Sequence, residues 1–286
     1  MCETCGCSDG AKATVINLKT GESSEVVASH DHGHHHHHGH HDHDHPHDHQ
    51  HGHDHGHHHH HGPGDTVTLQ QAVLQKNAEL AERNRAWFAG REILALNLVS
   101  SPGSGKTTLL ERTIADLKGE QDLFVIEGDQ ATLADGERIT AAGAPVVQVN
   151  TGTGCHLESD MIARGLQELK PRVGAIVLIE NVGNLVCPAL FDLGEKAKVA
   201  ILSVTEGEDK PIKYPHMFQA SDLMILNKTD LLPHVDFDIE RCIASAREVN
   251  PGIEILQLSA RTGEGLQDWY AWIARQRETA RQQAFA

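Results

Sequence analysis

The fold of this chain is decided by residues 100–107, which read Ser100-Ser101-Pro102-Gly103-Ser104-Gly105-Lys106-Thr107. This stretch follows an apolar run and leads into helix-forming residues, which is the strand, loop and helix context of a phosphate-binding loop. The two glycines let backbone N–H groups turn towards phosphates, and the helix N-terminus adds partial positive charge. Lys106 is therefore predicted to bind the β- and γ-phosphates of a nucleotide, and the Thr107 hydroxyl to bind Mg²⁺. The predicted phosphate-binding residues are Gly103, Ser104, Gly105, Lys106, Thr107 and Thr108.

Apolar runs of strand length alternate with helical stretches through the rest of the chain. They cover residues 93–99, 123–126, 146–149, 175–179, 199–204, 223–226 and 253–258. Continuous apolar runs are typical of strands buried on both faces, and their alternation with helices predicts parallel strands joined by crossover helices. The predicted fold class is α/β, with a mostly parallel central sheet and helices on both faces, as in P-loop NTPases.

Composition divides the chain into three segments. Residues 1–29 form a Cys-rich head, residues 30–64 a histidine-rich tract, and residues 65–286 a globular domain that opens with an amphipathic helix over 68–88. Of the 24 histidines, 21 lie between His30 and His61, where most other residues are glycine and aspartate. Such a tract cannot bury a core, so it is predicted to be disordered.

A second nucleotide motif, Asn227-Lys228-Thr229-Asp230, directly follows the apolar run 223–226. It resembles the Asn-Lys-x-Asp motif of GTPases, in which the Asp carboxylate accepts hydrogen bonds from guanine N1–H and the exocyclic amine. Adenine offers no such pair of donors. Ser259-Ala260, after the last apolar run, resembles the loop that covers guanine O6. These residues predict GTP as the nucleotide, bound at Asn227, Lys228, Asp230, Ser259 and Ala260.

Acidic residues at the ends of two apolar runs are candidates for the Mg²⁺ shell and for catalysis. Glu180, in Glu180-Asn181-Val182-Gly183, replaces the Asp of the usual Asp-x-x-Gly, and its longer side chain is expected to act through a Mg²⁺-bound water. The Gly183 N–H is expected to contact the γ-phosphate. Asp129 follows the second run and is either a further acid of the metal shell or a solvated loop residue. The predicted catalytic residues are Lys106, Glu180 and Asp129.

The residue that orients water in fast GTPases is a glutamine after that glycine, and this chain has Asn184 there. No arginine finger can be named from the sequence. We therefore expect slow intrinsic hydrolysis that is raised by dimerisation or by a partner.

Three thiols lie within six residues at the start of the chain, at Cys2, Cys5 and Cys7. Gly6 allows the tight turn that one shared metal would need. Thiolates together with backbone or terminal nitrogens suit square-planar Ni²⁺, and the alternative is a tail with exposed thiols. Imidazoles of the histidine tract are expected to store nickel, with an engineered purification tag as the alternative.

A second group of metal-binding residues lies inside the globular part. Cys155-His156 and Cys187 each follow a predicted strand, on the edge where open α/β sheets bind their ligands. A metal shared by these loops would sense the γ-phosphate through residues 180–183. The alternative is that they are small buried residues of the core. Cys242, in a predicted helix over 237–249, is interpreted as structural.

Charge and hydropathy exclude several classes of function. A formal net charge of -16 and 4% aromatic residues argue against binding to nucleic acid. The first ten residues carry no basic and apolar signal, and no apolar run is long enough to span a membrane. The sequence therefore predicts a cytoplasmic protein with no nucleic-acid or membrane partner.

Taken together, these motifs resemble those of the hydrogenase nickel incorporation GTPases, the HypB family. The resemblance covers essentially the whole chain, including Glu180-Asn181-Val182-Gly183-Asn184-Leu185-Val186-Cys187-Pro188. It implies a GTP- and metal-dependent homodimer that delivers nickel to the large subunit of [NiFe]-hydrogenase together with the small zinc-containing accessory protein HypA. It also implies a high-affinity Ni²⁺ site at Cys2, Cys5 and Cys7. Further, it implies a Ni²⁺ or Zn²⁺ site at the dimer interface, formed by Cys155, His156 and Cys187.

The resemblance extends to residues 210–215, which it places near the nucleotide or the partner subunit. Two alternatives remain open. The urease accessory GTPases also insert nickel, but their metal motif is Cys-Pro-His, and Cys187-Pro188 is followed here by Ala189. The other alternative is a passive nickel-storage protein whose nucleotide domain is vestigial.

Overall fold

The computed structural model describes residues 13–26, 63–129, 133–152 and 154–284. The strands in these ranges are β1 (Ala13–Asn17), β2 (Ser23–Val26), β3 (Leu94–Ser100), β4 (Leu123–Asp129), β5 (Val146–Asn150), β6 (Ile176–Glu180), β7 (Ala197–Ser203), β8 (Leu223–Asn227) and β9 (Glu254–Gln257). The helices are α1 (Pro63–Ala89), α2 (Lys106–Leu117), α3 (Ala134–Ala142), α4 (Ser159–Leu169), α5 (Cys187–Leu190), α6 (Lys210–Lys213), α7 (Pro215–Gln219), α8 (Ile239–Val249) and α9 (Leu266–Ala284), and a 3-10 helix spans Thr229–His234.

The predictions for the N-terminal metal segments cannot be compared with this structure. Cys2, Cys5, Cys7 and the histidine tract lie outside the described residues, so their roles stay predictions. In the part of the chain that the structure does describe, no helix is both long and apolar enough to cross a membrane.

One sheet contains all the described strands, in the order β2-β1-β5-β4-β6-β3-β7-β8-β9. The pairs from β5 to β9 in this order are all parallel. Each of the seven apolar runs forms one of these parallel strands, so the predicted α/β fold with a mostly parallel sheet is confirmed. Because the strands are parallel, the loops that follow β3, β4, β5, β6 and β8 all leave the same edge of the sheet.

The sheet continues into a hairpin that the sequence did not predict. Residues 13–26 fall in the Cys-rich head, but β1 pairs antiparallel with β2 and also with β5, where Thr14 lies opposite Asn150. Ala13 and Val15 are buried and the residues between and after them are half-buried, which is a period-2 pattern. Five residues are too few for that pattern to stand out in a sequence, because a short strand is stabilised by the edge it joins.

Helices cover both faces of the sheet, as predicted. Alternate residues of β3 point to opposite faces, so Leu94, Leu96 and Leu98 pack with α2, α3 and α9, while Ala95 packs with α1 and α4. A third cluster under α7 and α8 contains Cys242, which is fully buried. Burial and the nearby Glu208 raise the pKa of the Cys242 thiol to about 12. These observations agree with a structural role for Cys242.

Helix α1 holds together the two loops that follow β5 and β6. The Asn84 amide donates to the carbonyls of Ser159 (2.8 Å) and Leu193 (3.1 Å). Asn77 donates to the Asp192 carbonyl at 2.7 Å and accepts from the Ser159 N–H at 2.9 Å. Hydrogen bonds from buried amides restrict geometry, so α1 fixes the spacing of these loops.

Close packing of α1 against residue 194 predicts a large cost for a small substitution. Gly194 has φ +85°, and a Cβ there would lie 2.5 Å from the Ala81 carbonyl oxygen and 2.8 Å from Arg85 N. We expect Gly194→Ala to lower the free energy of unfolding by about 3–5 kcal/mol, the sum of backbone strain and overpacking. Gly119 is the matched control, since its φ is +94° with no atom within 4 Å. Gly119→Ala should cost only about 1–2 kcal/mol. If urea unfolding showed the same loss of stability for Gly194→Ala and Gly119→Ala, the close packing at Gly194 would be contradicted.

Candidate functional site

The phosphate-binding loop lies between β3 and α2, where the sequence placed it. Gly103 (φ +77°) and Gly105 (φ +98°) both occupy the left-handed region, which favours glycine. The buried Lys106 ammonium donates to Ser100 Oγ at 2.8 Å. Burial lowers the pKa of Lys106, while the Glu180 carboxylate acts in the opposite direction. Ser100 stands where the loop consensus has glycine, and its hydroxyl accepts from the lysine that the sequence predicts to bind phosphate.

The guanine motif packs directly against this loop. Asn227 Nδ2 donates to the Ser104 carbonyl at 2.9 Å, and Lys228 Nζ donates to the Gly103 carbonyl at 2.6 Å. A Cβ at Gly105 would lie 2.5 Å from Asn227 Nδ2, so this approach requires glycine. The phosphate-binding and base-binding motifs are therefore parts of one rigid site.

The third motif completes the base side. The Ala260 N–H donates to Asn227 Oδ1 at 3.1 Å, and the Ser259 hydroxyl donates to Asp230 Oδ1 at 2.6 Å. Ser259 Oγ in turn accepts from the Thr262 N–H at 3.1 Å. These bonds hold the Asp230 carboxylate in one orientation, which is what recognition of two donors on a guanine edge needs.

A Mg²⁺ ion fits the acidic end of the site. The Thr107 hydroxyl donates to Glu180 Oε1 at 2.8 Å, and the second carboxylate oxygen, Glu180 Oε2, is buried without a hydrogen-bond partner. Burial raises the pKa of Glu180 to about 7. Glu127 lies opposite Glu180 in the sheet, and burial followed by the charges of Glu180 and Asp129 raises its pKa to about 9. A divalent cation would favour the ionised form of both carboxyl groups.

These residues surround a cavity of about 480 Å³. Most of the lining was predicted from the sequence, including the phosphate-binding loop, Asp129, Glu180 and Gly183. Asp230, Ser259 and Ala260 lie on the base side rather than in the lining. Three charged lining residues were not predicted as site residues, namely Glu127, Asp135 and Arg138. Asp135 and Arg138 are one helical turn apart on α3, and no motif in the sequence identifies that helix.

The inner metal-binding candidates are brought together, as their sequence positions suggested. Cys155 Sγ lies 2.8 Å from Cys187 Sγ and 3.6 Å from His156 Nδ1. One ligand atom from each residue lies within 4.8 Å of the others. The His156 ring packs on Phe191 with ring centroids 3.8 Å apart, and its buried Nε2 lies 3.5 Å from Glu158 Oε1 without forming a hydrogen bond. Two sulfurs and an imidazole nitrogen form a donor set that suits a soft divalent ion such as Zn²⁺ or Ni²⁺.

A buried amide connects the nucleotide loop to the metal loop. Asn181, which follows Glu180, accepts from the Leu157 N–H at 3.2 Å and from the Val182 N–H at 3.0 Å. Its Nδ2 donates to Asn97 Oδ1 at 3.2 Å, and Asn97 Nδ2 donates to Glu195 Oε1 at 2.9 Å. The side chain of Asn181, the residue after Glu180, is thus hydrogen-bonded to the backbone of Leu157, the residue after His156.

The stretch 210–215 forms α6 and the start of α7. Lys213 Nζ pairs with Asp209 at 2.6 Å on the surface, and Lys210 lies 5.1 Å from the centre of the Tyr214 ring. None of these residues lines the described cavity. A role near the nucleotide or a partner subunit stays a prediction.

Comparison with known proteins gives a consistent result. The profile described as CobW/HypB/UreG, nucleotide-binding domain, matches residues 94–257. The hydrogenase maturation factor HypB of Azotobacter chroococcum mcd 1 is 62% identical over 211 residues, which are 74% of this chain and 69% of the relative. The protein of the same name from Escherichia coli (strain K12) is 63% identical over 205 residues, 72% of this chain and 71% of the relative.

Solved structures show the same likeness. HypB from Helicobacter pylori, crystallised in complex with nickel, aligns with a TM-score of 0.67 and 34% identity over 71% of this chain and 96% of that one. The hydrogenase maturation factor HypB from Archaeoglobus fulgidus aligns with a TM-score of 0.67 and 37% identity over 71% and 99%.

The cluster geometry predicts which thiols bind metal. In a background where Cys2, Cys5 and Cys7 are changed to Ser, thiolate-to-nickel charge-transfer absorption should arise from Cys155 and Cys187. Cys187→Ser should weaken Ni²⁺ binding at least about a hundredfold in that assay, since a direct ligand is lost. Cys242→Ser is the control, because that thiol is buried in a separate cluster. Equal effects of the two substitutions would contradict the site.

Proposed function

The chain belongs to the HypB proteins, within the CobW/HypB/UreG family of nucleotide-binding domains, and from this premise we propose that it hydrolyses GTP and delivers nickel to a maturing [NiFe]-hydrogenase. One observation carries the proposal: the candidate guanine-nucleotide site and the cluster of Cys155, His156 and Cys187 lie at the same edge of the sheet. Asn181 links the two. We place this activity in the cytoplasm.

Hydrolysis would use residues already held in position. Lys106 binds the β- and γ-phosphates, and Thr107 and Glu180 hold Mg²⁺, with Asp129 as a further acid of its shell. When bound, the ion supplies neutralisation of charge on the β- and γ-phosphate oxygens. The Gly183 N–H, in the cavity wall, donates to the γ-phosphate. With Asn184 in place of a water-orienting glutamine, the intrinsic rate is slow.

Nickel is the cargo in this proposal, and the N-terminal segments collect it. Cys2, Cys5 and Cys7 bind one Ni²⁺ tightly, and the histidine tract stores further ions. Ala13 lies at the carboxyl end of β5, because β1 runs antiparallel to that strand. Cys7 precedes Ala13 by six residues, which span at most about 21 Å. The first described residue, Ala13, therefore lies at the sheet edge that carries the inner site, where Ni²⁺ or Zn²⁺ binds in this proposal.

Dimerisation would cover the inner site. Cys187 is half-buried, and its neighbours Val186 and Leu190 expose 44% and 56% of their surface. Apolar side chains beside a ligand thiol suit a contact with a second copy of the chain. We propose a GTP- and metal-dependent homodimer that works with a HypA-type accessory protein and the large subunit of the hydrogenase.

The nucleotide and the metal would act on each other through Asn181. A γ-phosphate that draws in the loop of residues 180–183 shifts the Asn181 amide, which holds the Leu157 N–H beside His156. Metal affinity then depends on the nucleotide, and by linkage nucleotide affinity depends equally on the metal.

Two other functions are distinguishable from this one. A relative from Helicobacter pylori, 36% identical over 208 residues, is named a hydrogenase/urease maturation factor, which keeps delivery to a urease as an alternative. Passive nickel storage would need only the histidine tract. Ala189 in place of the histidine of the urease accessory motif favours hydrogenase maturation.

GTP turnover tests the proposal directly. We expect phosphate release from GTP but not from ATP, and Lys106→Ala should reduce it to background because the phosphates lose their buried cation. Lys118→Ala, an exposed lysine after α2, is the control. In cells, Lys106→Ala should abolish hydrogenase activity. If that variant matured hydrogenase normally while deletion of residues 30–61 stopped maturation, storage would be the function instead.

Coupling through Asn181 gives a separate prediction. Asn181→Ala should keep both GTP and Ni²⁺ binding but bring the ratio of Ni²⁺ affinities with GDP and with a non-hydrolysable GTP analogue close to one. Asn250→Ala is the matched control, since Asn250 donates to the Phe218 and Ser221 carbonyls far from both sites. A ratio unchanged by Asn181→Ala, measured by competition titration, would show that coupling does not pass through this amide.

A further inference from the structure

The nucleotide cavity contains a cation that has no assigned role. Among the described lining residues the cations are Lys106, Lys228 and Arg138. Lys106 belongs to the phosphate-binding loop, and Lys228 donates to the Gly103 carbonyl on the base side. Arg138 extends from α3, and its Nη2 lies 3.5 Å from Thr108 Oγ1, in the first turn of α2. The guanidinium therefore lies beside the helix end that receives the phosphates.

Two carboxylates hold Arg138 in its present position. Glu111 accepts from its Nε at 3.1 Å and from its Nη2 at 2.7 Å, and Asp135 accepts from its Nη1 at 2.9 Å. The Arg138 side chain is 46% exposed, and those of Glu111 and Asp135 are 29% and 41% exposed. These pairs are partly open to solvent and therefore screened, so a phosphate that carries more negative charge than one carboxylate can compete for the guanidinium.

The chemistry of hydrolysis needs a cation in this place. Water attacks the γ-phosphorus, the bond to the β,γ-bridging oxygen breaks, its electron pair stays on GDP, and the water protons pass to solvent and phosphate. Negative charge spreads over the γ-phosphate oxygens in the transition state. A planar guanidinium can donate two parallel hydrogen bonds to such oxygens, whereas a lysine acts as a point charge.

We propose that Arg138 leaves Glu111 and binds the γ-phosphate of GTP within the same chain, as an arginine that stabilises the transition state in cis. This inference rests on the proposed GTP hydrolysis. It also supplies the arginine that the sequence alone could not identify.

The competing explanation is that Arg138 only ties α3 to α2. The two explanations differ in what happens when Glu111 is changed. If the pair with Glu111 is merely structural, Glu111→Gln and Arg138→Gln should have the same effect. If Arg138 acts on phosphate, Glu111→Gln frees it and leaves turnover at or above the wild-type rate.

The test is steady-state GTP hydrolysis by the full-length protein and three variants. We expect Arg138→Gln to lower kcat about a hundredfold, in the range found for single transition-state donors. The kcat of Arg138→Lys should fall between those of Arg138→Gln and the wild type, because lysine keeps the charge but cannot donate two parallel hydrogen bonds. Glu111→Gln should keep kcat. Arg138→Gln should also weaken binding of a non-hydrolysable GTP analogue while GDP binding stays the same, since GDP has no γ-phosphate.

Each outcome decides something. Equal losses of kcat in Arg138→Gln and Glu111→Gln would overturn the inference and show that Arg138 only ties α3 to α2. An unchanged kcat in Arg138→Gln would also overturn it. Equal weakening of GDP and of the GTP analogue would overturn it as well, by assigning Arg138 to the shared phosphates or to folding. A wild-type protein that hydrolyses no GTP would instead overturn the proposed function, while the difference between GTP-analogue and GDP affinities would still report on Arg138.

Discussion

Buried side-chain amides hold this site together. Asn227 binds the phosphate loop through the Ser104 carbonyl, and Asn181 binds the metal loop through the Leu157 N–H. Both asparagines are at most 1% exposed, so a donor or acceptor left without a partner would carry its full desolvation cost. The arrangement that satisfies these amides places the residues predicted to bind base, phosphate and metal along one edge of the sheet.

The parts of the fold that the sequence predicts are those with local signals. Parallel strands buried on both faces appear as continuous apolar runs, and each of the seven became a strand. Gly103 and Gly105 could be predicted because a left-handed backbone favours glycine. The Asn227 motif could be predicted because its position directly after a strand is specific. The sequence also predicted that Cys155 and Cys187 lie close together, because loops at the carboxyl ends of parallel strands converge.

The parts that could not be predicted depend on partners distant in sequence. The β1–β2 hairpin has only Ala13 and Val15 as a buried pattern, and it is completed by the free edge of β5. Glu127 became a site residue because parallel register places it beside Glu180, a pairing that a single strand does not reveal. Arg138 enters the cavity because α3 packs on α2, and nothing in residues 134–142 distinguishes it from a surface arginine.

The charges of the cavity explain why such a site would take its nucleotide together with a metal ion. Four acids, Glu127, Asp129, Asp135 and Glu180, face three cations in the lining. A triphosphate alone would add negative charge to a cavity with no cationic excess, and burial already favours protonated Glu127 and Glu180. A divalent cation reverses this balance, because it pairs with the phosphates and with the ionised carboxylates at once. In the proposed function, this acidic lining would favour Mg²⁺·GTP over free GTP, and the buried Glu180 would make the nucleotide site responsive to the ion.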